Sequence, residues 1–240
     1  MREWLALFQQ RPTHDSGNMF HRDWWQPYDL GTLQAQGLKP SFTFVDSSFK
    51  TGVENDFSVA ATWAWAGGRA YLMDLWRERV EFPTLVATMR DIYSKWHVPI
   101  VIEDKASGQS LIQVLGQPLA DQPHIPIIAQ PIEGNQSKTS RAERITRWVE
   151  AKAVYLPAGA PWRHDFIEEH AEFPNGKHDD QVDTTSMALR RFFIGGQRPT
   201  DYPEIRYADS QPRRIVSRWL AGIKERKKLA ADAYYESLQQ

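Results

Sequence analysis

Three acidic clusters stand at the ends of patterned segments. Asp46 closes the run FTFVD, Glu103-Asp104 closes VPIVIED, and His178-Asp179-Asp180 with Asp183 opens a helical pattern. In an alternating α/β sheet, the ends of neighbouring strands converge on one edge, where ligands bind. On a helix, residues three and four apart share a face, so Asp179 and Asp180 lie on the side of Asp183. Two carboxylates ~4 Å apart repel by about 4 kcal/mol at an effective dielectric near 20, so a gathering of this kind needs a counter-cation. The chain has no cysteine, which leaves oxygen and imidazole donors and favours hard Mg²⁺ or Mn²⁺. Two such ions, roughly 3.5–4 Å apart, activate a water and stabilise the leaving oxygen in phosphodiester hydrolysis. Each cluster also has a plainer reading. Asp46 ends a strand before the turn-forming Ser47-Ser48, Glu103-Asp104 serve as solvated loop acids, Asp179 and Asp180 start a helix as capping and the dipole favour, and Asp183 is a surface acid.

The elements that must position these acids follow from the hydrophobic pattern. FTFVD, FSVAATWAWA and RAYLMDLWRERV, the last two joined by Gly67-Gly68, predict three consecutive antiparallel strands. Apolar residues at 82, 85, 86, 89, 92, 93 and 96 predict a helix. Helix and strand then alternate: VPIVIED, a helix from Ser107, IPIIAQPI, a helix over 138–151, AVYLP, and two closing helices over 162–172 and 179–193. The expected fold class is α/β, with a mixed sheet, antiparallel meander first and parallel strands after, flanked by helices. Residues 1–40 read as an irregular lead-in, 41–195 as the domain, and 196–240 as a linker and basic tail.

Composition narrows the classes. The 240 residues carry 29 Lys and Arg against 30 Asp and Glu, so the chain is no uniformly basic nucleic-acid coat. The 41% apolar content supports a large core. The chain has no run of the ~20 apolar residues a spanning helix needs, and the N-terminus lacks a signal-peptide pattern, so a cytoplasmic setting without membrane contact is expected. Neither Gly-x4-Gly-Lys-Ser/Thr nor Gly-x-Gly-x-x-Gly occurs.

The ordered runs FVDSSFKTGVENDFSVAATW, VIEDKASGQSLIQVL, SKTSRAERITRWVEAKAVYLP and FPNGKHDDQVDTTSMAL resemble the C-terminal nuclease domain of the large terminase subunit of tailed bacteriophages. The resemblance covers roughly residues 4–193, and LFQQRPTHDSGNMFHRDWW is similar to the segment joining that family's ATPase domain to its nuclease. It implies an RNase H-like fold and an endonuclease that cuts concatemeric phage DNA during packaging, using two Mg²⁺ or Mn²⁺ ions held by acids. On this resemblance Asp46 matches the first-strand aspartate that contacts both metals, and Glu103 the acid five positions before the motif glycine, here Gly108. Asp180, with Asp179 as its alternative, matches the acid at the start of the last helix, while His178 and Asp183 assist the second metal. The family's ATPase half is absent from these 240 residues, so neither ATP hydrolysis nor translocation is expected from them alone. The implied partners are double-stranded DNA, a terminase ATPase domain or chain, the portal protein and the small terminase subunit, in the cytoplasm of a bacterial host.

A cleavage site also needs cations for the phosphate backbone. Lys50 and Lys105 lie near the acids in sequence, and Lys138, Arg141 and Arg144 recur every three residues along one predicted helix, where a merely solvated face is the alternative. Arg213, Arg214, Arg218, Lys224, Arg226, Lys227 and Lys228 surround the single acid Glu225 and predict a basic amphipathic tail helix. Two other functions fit the same residues: a docking module for DNA or portal with weak or suppressed cleavage, and another RNase H-like nuclease such as a junction resolvase.

Overall fold

The computed structural model describes residues 19–48, 56–117, 124–131 and 137–195. The chain divides into two units, Met1–Pro199 and Thr200–Gln240, and everything described belongs to the first. Lys50 and the basic tail helix lie outside the described residues.

Seven strands form one sheet in the order β1-β7-β4-β3-β2-β5-β6. The strands are β1 (Gln26–Tyr28), β2 (Phe42–Asp46), β3 (Ser58–Ala66), β4 (Arg69–Glu78), β5 (Ile100–Glu103), β6 (Ile127–Gln130) and β7 (Val154–Pro157). The helices are α1 (Leu30–Ala35), α2 (Phe82–Trp96), α3 (Ala106–Gly116), α4 (Lys138–Glu150), α5 (Arg163–Glu172) and α6 (Asp180–Leu189). The meander β2-β3-β4 is antiparallel, and β5, β6 and β7 join in parallel, as expected. Gly67 and Gly68, at φ 57° and 77°, make the two-residue turn between β3 and β4, a conformation that L-residues with side chains resist. This is the mixed sheet, helices on its faces, of the RNase H-like class.

Two features differ from the sequence reading. The lead-in contains β1, which pairs in parallel with β7, and the short helix α1; three strand residues carry too little periodicity to be seen. Its aromatics do pack inward: Phe20 and Trp25 meet His170, and the Tyr28 hydroxyl donates to the Leu72 carbonyl. The last helix also changes pitch, with a wider π-type turn over Arg190–Ile194.

β2 is buried at every position, so its alternation divides two cores. Val45 faces α2 and α3, in a cluster with Leu85, Met89, Ile100, Ile102 and Leu111. Phe42 and Phe44 face the other way, against Phe192, and period two puts Asp46 on their side. α6 covers that side, and Gln181 through Leu189 are all buried. Its polar residues find partners on α5. The Glu169 carboxylate accepts from the Gln181 backbone N–H at 2.6 Å and from its side-chain amide at 2.5 Å. His170 Nδ1 donates to the Phe166 carbonyl at 2.7 Å, which leaves Nε2 to accept from the Thr185 hydroxyl at 3.1 Å.

His170 makes stability depend on pH. Burial pushes its pKa from 6.5 down to about 3, against a weaker upward pull from the Phe166 hydrogen bond. The unfolded chain therefore binds one more proton between these values, and stability present above pH 6.5 is lost as pH falls through the window. At about pH 5.5 the loss is roughly 1 kcal/mol. Urea unfolding of His170→Gln against pH checks this: the variant is expected to show a flatter dependence between about pH 6.5 and 4.

Candidate active site

Four carboxylates meet where β2 and β5 end. Asp46 is the last residue of β2 and Glu103 the last of β5. The parallel register pairs Val45 with Ile102, so one step further it sets Asp46 beside Glu103 on the α6 face. The first turn of α6 supplies Asp180 and Asp183. The charges of Glu103 and Asp180 act on Asp46, and that of Asp46 acts on Asp183. Of the Asp179/Asp180 doublet, the Asp180 side chain is 13% exposed and that of Asp179 35%. Asp104, beyond the strand, is exposed and accepts from Gln109. The His178 ring packs edge-on against Phe57, centroids 5.1 Å apart.

Cations knit the acids together. Lys105 donates to Asp46 and lies 3.3 Å from Glu103. Arg141 reaches Glu103 at 2.6 Å and Asp183 at 3.2 Å. Lys138 contacts Asp179 at 2.7 Å and Asp183 at 3.0 Å. Three of the cations expected to hold DNA are thus engaged with carboxylates, while Arg144 sits half-buried one turn further along α4. Among the described residues no group of three acidic or histidine side chains stands in position to hold an ion.

The local electrostatics follow from burial. Burial raises the Asp46 pKa, Lys105 pulls it back, and Glu103 and Asp180 raise it again. Asp180 rises to about 6, through burial and then Glu169, against Arg77. Asp183 is raised by burial and opposed by Lys138. Burial disfavours the charged form of Lys105 and of Lys138, but the facing carboxylates outweigh it and both pKa values rise. His178 is lowered by burial and then by Arg77, Lys177 and Arg79. Burial thus disfavours the charged forms of Asp46, Asp180 and Asp183.

Local chain geometry explains the placement. At Gly108 a Cβ would lie 2.0 Å from the Glu103 carbonyl oxygen, so α3 can turn this closely off β5 only with glycine there. That corner carries Lys105 over the acids. Three residues that the sequence reading did not name also belong to the site. Arg77 lies 3.1 Å from Glu169 and 3.7 Å from Asp180, and the pair holds the first turn of α6. Gln130 pairs in register with Glu103, and its side-chain oxygen is buried with no hydrogen-bond partner among the described residues. Strand alternation could have flagged Arg77 as facing Asp46; nothing in a helix rich in acids distinguishes Glu169.

The Terminase RNaseH-like domain family matches residues 44–192. The fold is similar to the human cytomegalovirus terminase nuclease domain in a Mn-soaked, inhibitor-bound structure, with TM-score 0.54, 10% identity, and coverage of 72% of this chain and 95% of that one. It is also similar to the large terminase nuclease of thermophilic phage G20c with bound magnesium, with TM-score 0.51, 15% identity, and coverage of 74% and 99%. The cobalt-bound form of the G20c nuclease gives the same TM-score at 14% identity, again covering 74% and 99%. At such identities the likeness is one of fold. No curated protein matches the sequence. The family match spans more than half of the chain and contains all four converging carboxylates, and the chain belongs to the terminase RNase H-like domain family.

Proposed function

We propose that the chain is a divalent-metal-dependent DNA endonuclease that cuts concatemeric phage DNA during genome packaging. The observation that carries this reading is the meeting of Asp46, Glu103, Asp180 and Asp183 at one sheet edge, within a family of terminase nuclease domains. The donor set suits hard cations. It is all oxygen, and the unpartnered Gln130 oxygen, in register with Glu103, is a further acceptor for an ion or its waters. Asp46, Glu103 and Asp180 would hold two Mg²⁺ or Mn²⁺ ions, with Asp183 one turn along α6 and Asp179 at the rim. The bound ions would supply an activated water and offset charge at the phosphate. The Mn-soaked cytomegalovirus domain and the magnesium-bound phage nuclease support the choice of divalent metal.

The chain's own cations have two tasks in this reading. Lys105 and Arg141 keep the carboxylates together and oriented before an ion arrives, the role that hydrogen-bonded partners play around metal ligands. Lys138, Arg144 and Lys50 offer positive charge to the DNA backbone. The working partners would be duplex DNA and the terminase ATPase, with portal and small subunit nearby, in the host cytoplasm.

The test is plasmid cleavage by the purified protein. Cutting is expected with Mg²⁺ or Mn²⁺ and none with EDTA, with linear duplex cut as readily as four-way junctions. Metal-independent DNA binding without cutting would sink the endonuclease reading in favour of a docking module. A strong junction preference would favour a resolvase.

A further inference from the structure

The flank of the acid cluster on the β4 side carries charge that the acids do not engage. β4 ends in Arg77 and Glu78, and Arg79 follows, so Arg77 and Arg79 leave the chain on the same side. Arg77 pairs in register with Val59, which neighbours Asp46, so this side is the one that bears the carboxylates. Phe57, two residues before Val59, gathers the pair: its ring centroid lies 3.8 Å from the Arg77 guanidinium and 4.2 Å from that of Arg79. The His178 ring abuts Phe57. Four charges act on His178: Arg77, Lys177, Arg79 and, with opposite sign, Asp56.

Within this group the roles divide. Arg77 turns inward to Glu169 and Asp180. Arg79 and Lys177 are exposed, and among the described residues neither is ion-paired with a carboxylate. Stacking on an aromatic ring restricts a guanidinium before any ligand arrives, which lowers the ordering cost of a later contact. The like charges of Arg79 and Lys177, neither ion-paired with a carboxylate among the described residues, call for an anion, and a polyanionic strand passing over the acids is the one that meets this edge.

We propose that Arg79, stacked on Phe57, and Lys177, next to His178 in the chain, form a contact for the phosphate backbone of duplex DNA on the β4 side of the acid cluster. The strand then lies across the carboxylates, between this contact and the cations of α4. The inference rests on the endonuclease reading and adds the residues that hold the substrate on the second side.

Salt dependence tests it, because each phosphate contact contributes about 0.9 to the slope of log affinity against log salt. Anisotropy with a short labelled duplex in EDTA measures binding without cleavage. The double variant Arg79→Gln, Lys177→Gln is expected to lose about 2 from that slope and to bind roughly tenfold more weakly at ~0.1 M salt. Phe57→Leu is expected to weaken binding while leaving the slope nearly unchanged, since it removes order and not charge. Lys152→Gln, exposed at the opposite end of the sheet where β7 begins, should change neither quantity and serves as control. An unchanged slope in a folded double variant overturns the contact. If the wild type cuts DNA with metal and the slope is unchanged, the contact falls and the nuclease stands. If the slope drops but no metal supports cutting, the contact stands and the nuclease reading falls. A wild type without salt-dependent DNA binding also overturns the contact, and the cleavage assay then decides the nuclease reading by itself.

Discussion

Asp46→Asn is expected to lower metal-dependent DNA cleavage by on the order of 10³-fold or more, in a protein that still folds. Asp46 is the carboxylate on which the others act, through Glu103 and Asp180 directly and through its own effect on Asp183. Replacing it with an isosteric amide removes one negative charge from the cluster and leaves Lys105 with Glu103 at 3.3 Å. The metal-free variant should therefore be no less stable than the wild type, while its response to metal should collapse. An ion present at about 100 times its Kd adds about 2.7 kcal/mol to the stability of a protein that binds it only when folded. Thermal unfolding with Mg²⁺ and with EDTA reads this directly: a large shift for the wild type and almost none for Asp46→Asn.

The same experiment has a pH dependence with a definite sign. The Asp180 pKa is raised from 3.8 to about 6. A carboxylate raised in this way contributes stability below pH 3.8 that is lost as pH rises through about 6. Metal restores part of that loss, so the Mg²⁺-induced shift should be largest above about pH 7 and shrink below 6, where a proton competes for Asp180. A metal shift that stayed constant from pH 8 to pH 5 would contradict Asp180 as a ligand.

Glu169→Ala is the second large effect, expected to destabilise the protein by about 3–5 kcal/mol and to lower cleavage by roughly 10- to 100-fold. The Glu169 carboxylate accepts from both nitrogens of Gln181 and faces Arg77 at 3.1 Å. Its removal strands a half-buried guanidinium and an α6 backbone N–H, each more costly unpaired than the pair is worth together. The first turn of α6, which carries Asp180 and Asp183, then loses its clamp. Glu169→Gln keeps an oxygen for the Gln181 N–H and is expected to recover much of the stability and part of the rate. Denaturant unfolding and steady-state cleavage of the two variants separate the hydrogen bond from the charge.

The elements that hold the acids were legible because they obey simple periods. Helix α2 occupies 82–96 as its apolar spacing requires, β2, β3 and β4 form the antiparallel meander, and Asp46 and Glu103 fall at strand ends. The polar helix α6 was harder to place. Its buried Gln181, Thr184 and Thr185 have no hydrophobic signature, and their burial depends on Glu169, Gln181 itself and His170 as partners from α5 and α6. β1 escaped for the opposite reason, since three residues are too few to show a period at all.

By itself the sequence determined which carboxylates end strands and begin the last helix, and the absence of cysteine determined that their chemistry is oxygen chemistry. Order along the chain, hydrophobic period and side-chain type are local properties, and they suffice for that much. Only the tertiary structure decided that Asp180, the more buried of the doublet, lies within electrostatic reach of Asp46, that Lys105 and Arg141 stand among the acids, and that Glu169 and Arg77 brace them. Those contacts join residues tens to more than a hundred positions apart, and strand register and helix packing, which set their distances, leave no mark on the spacing of the residues themselves.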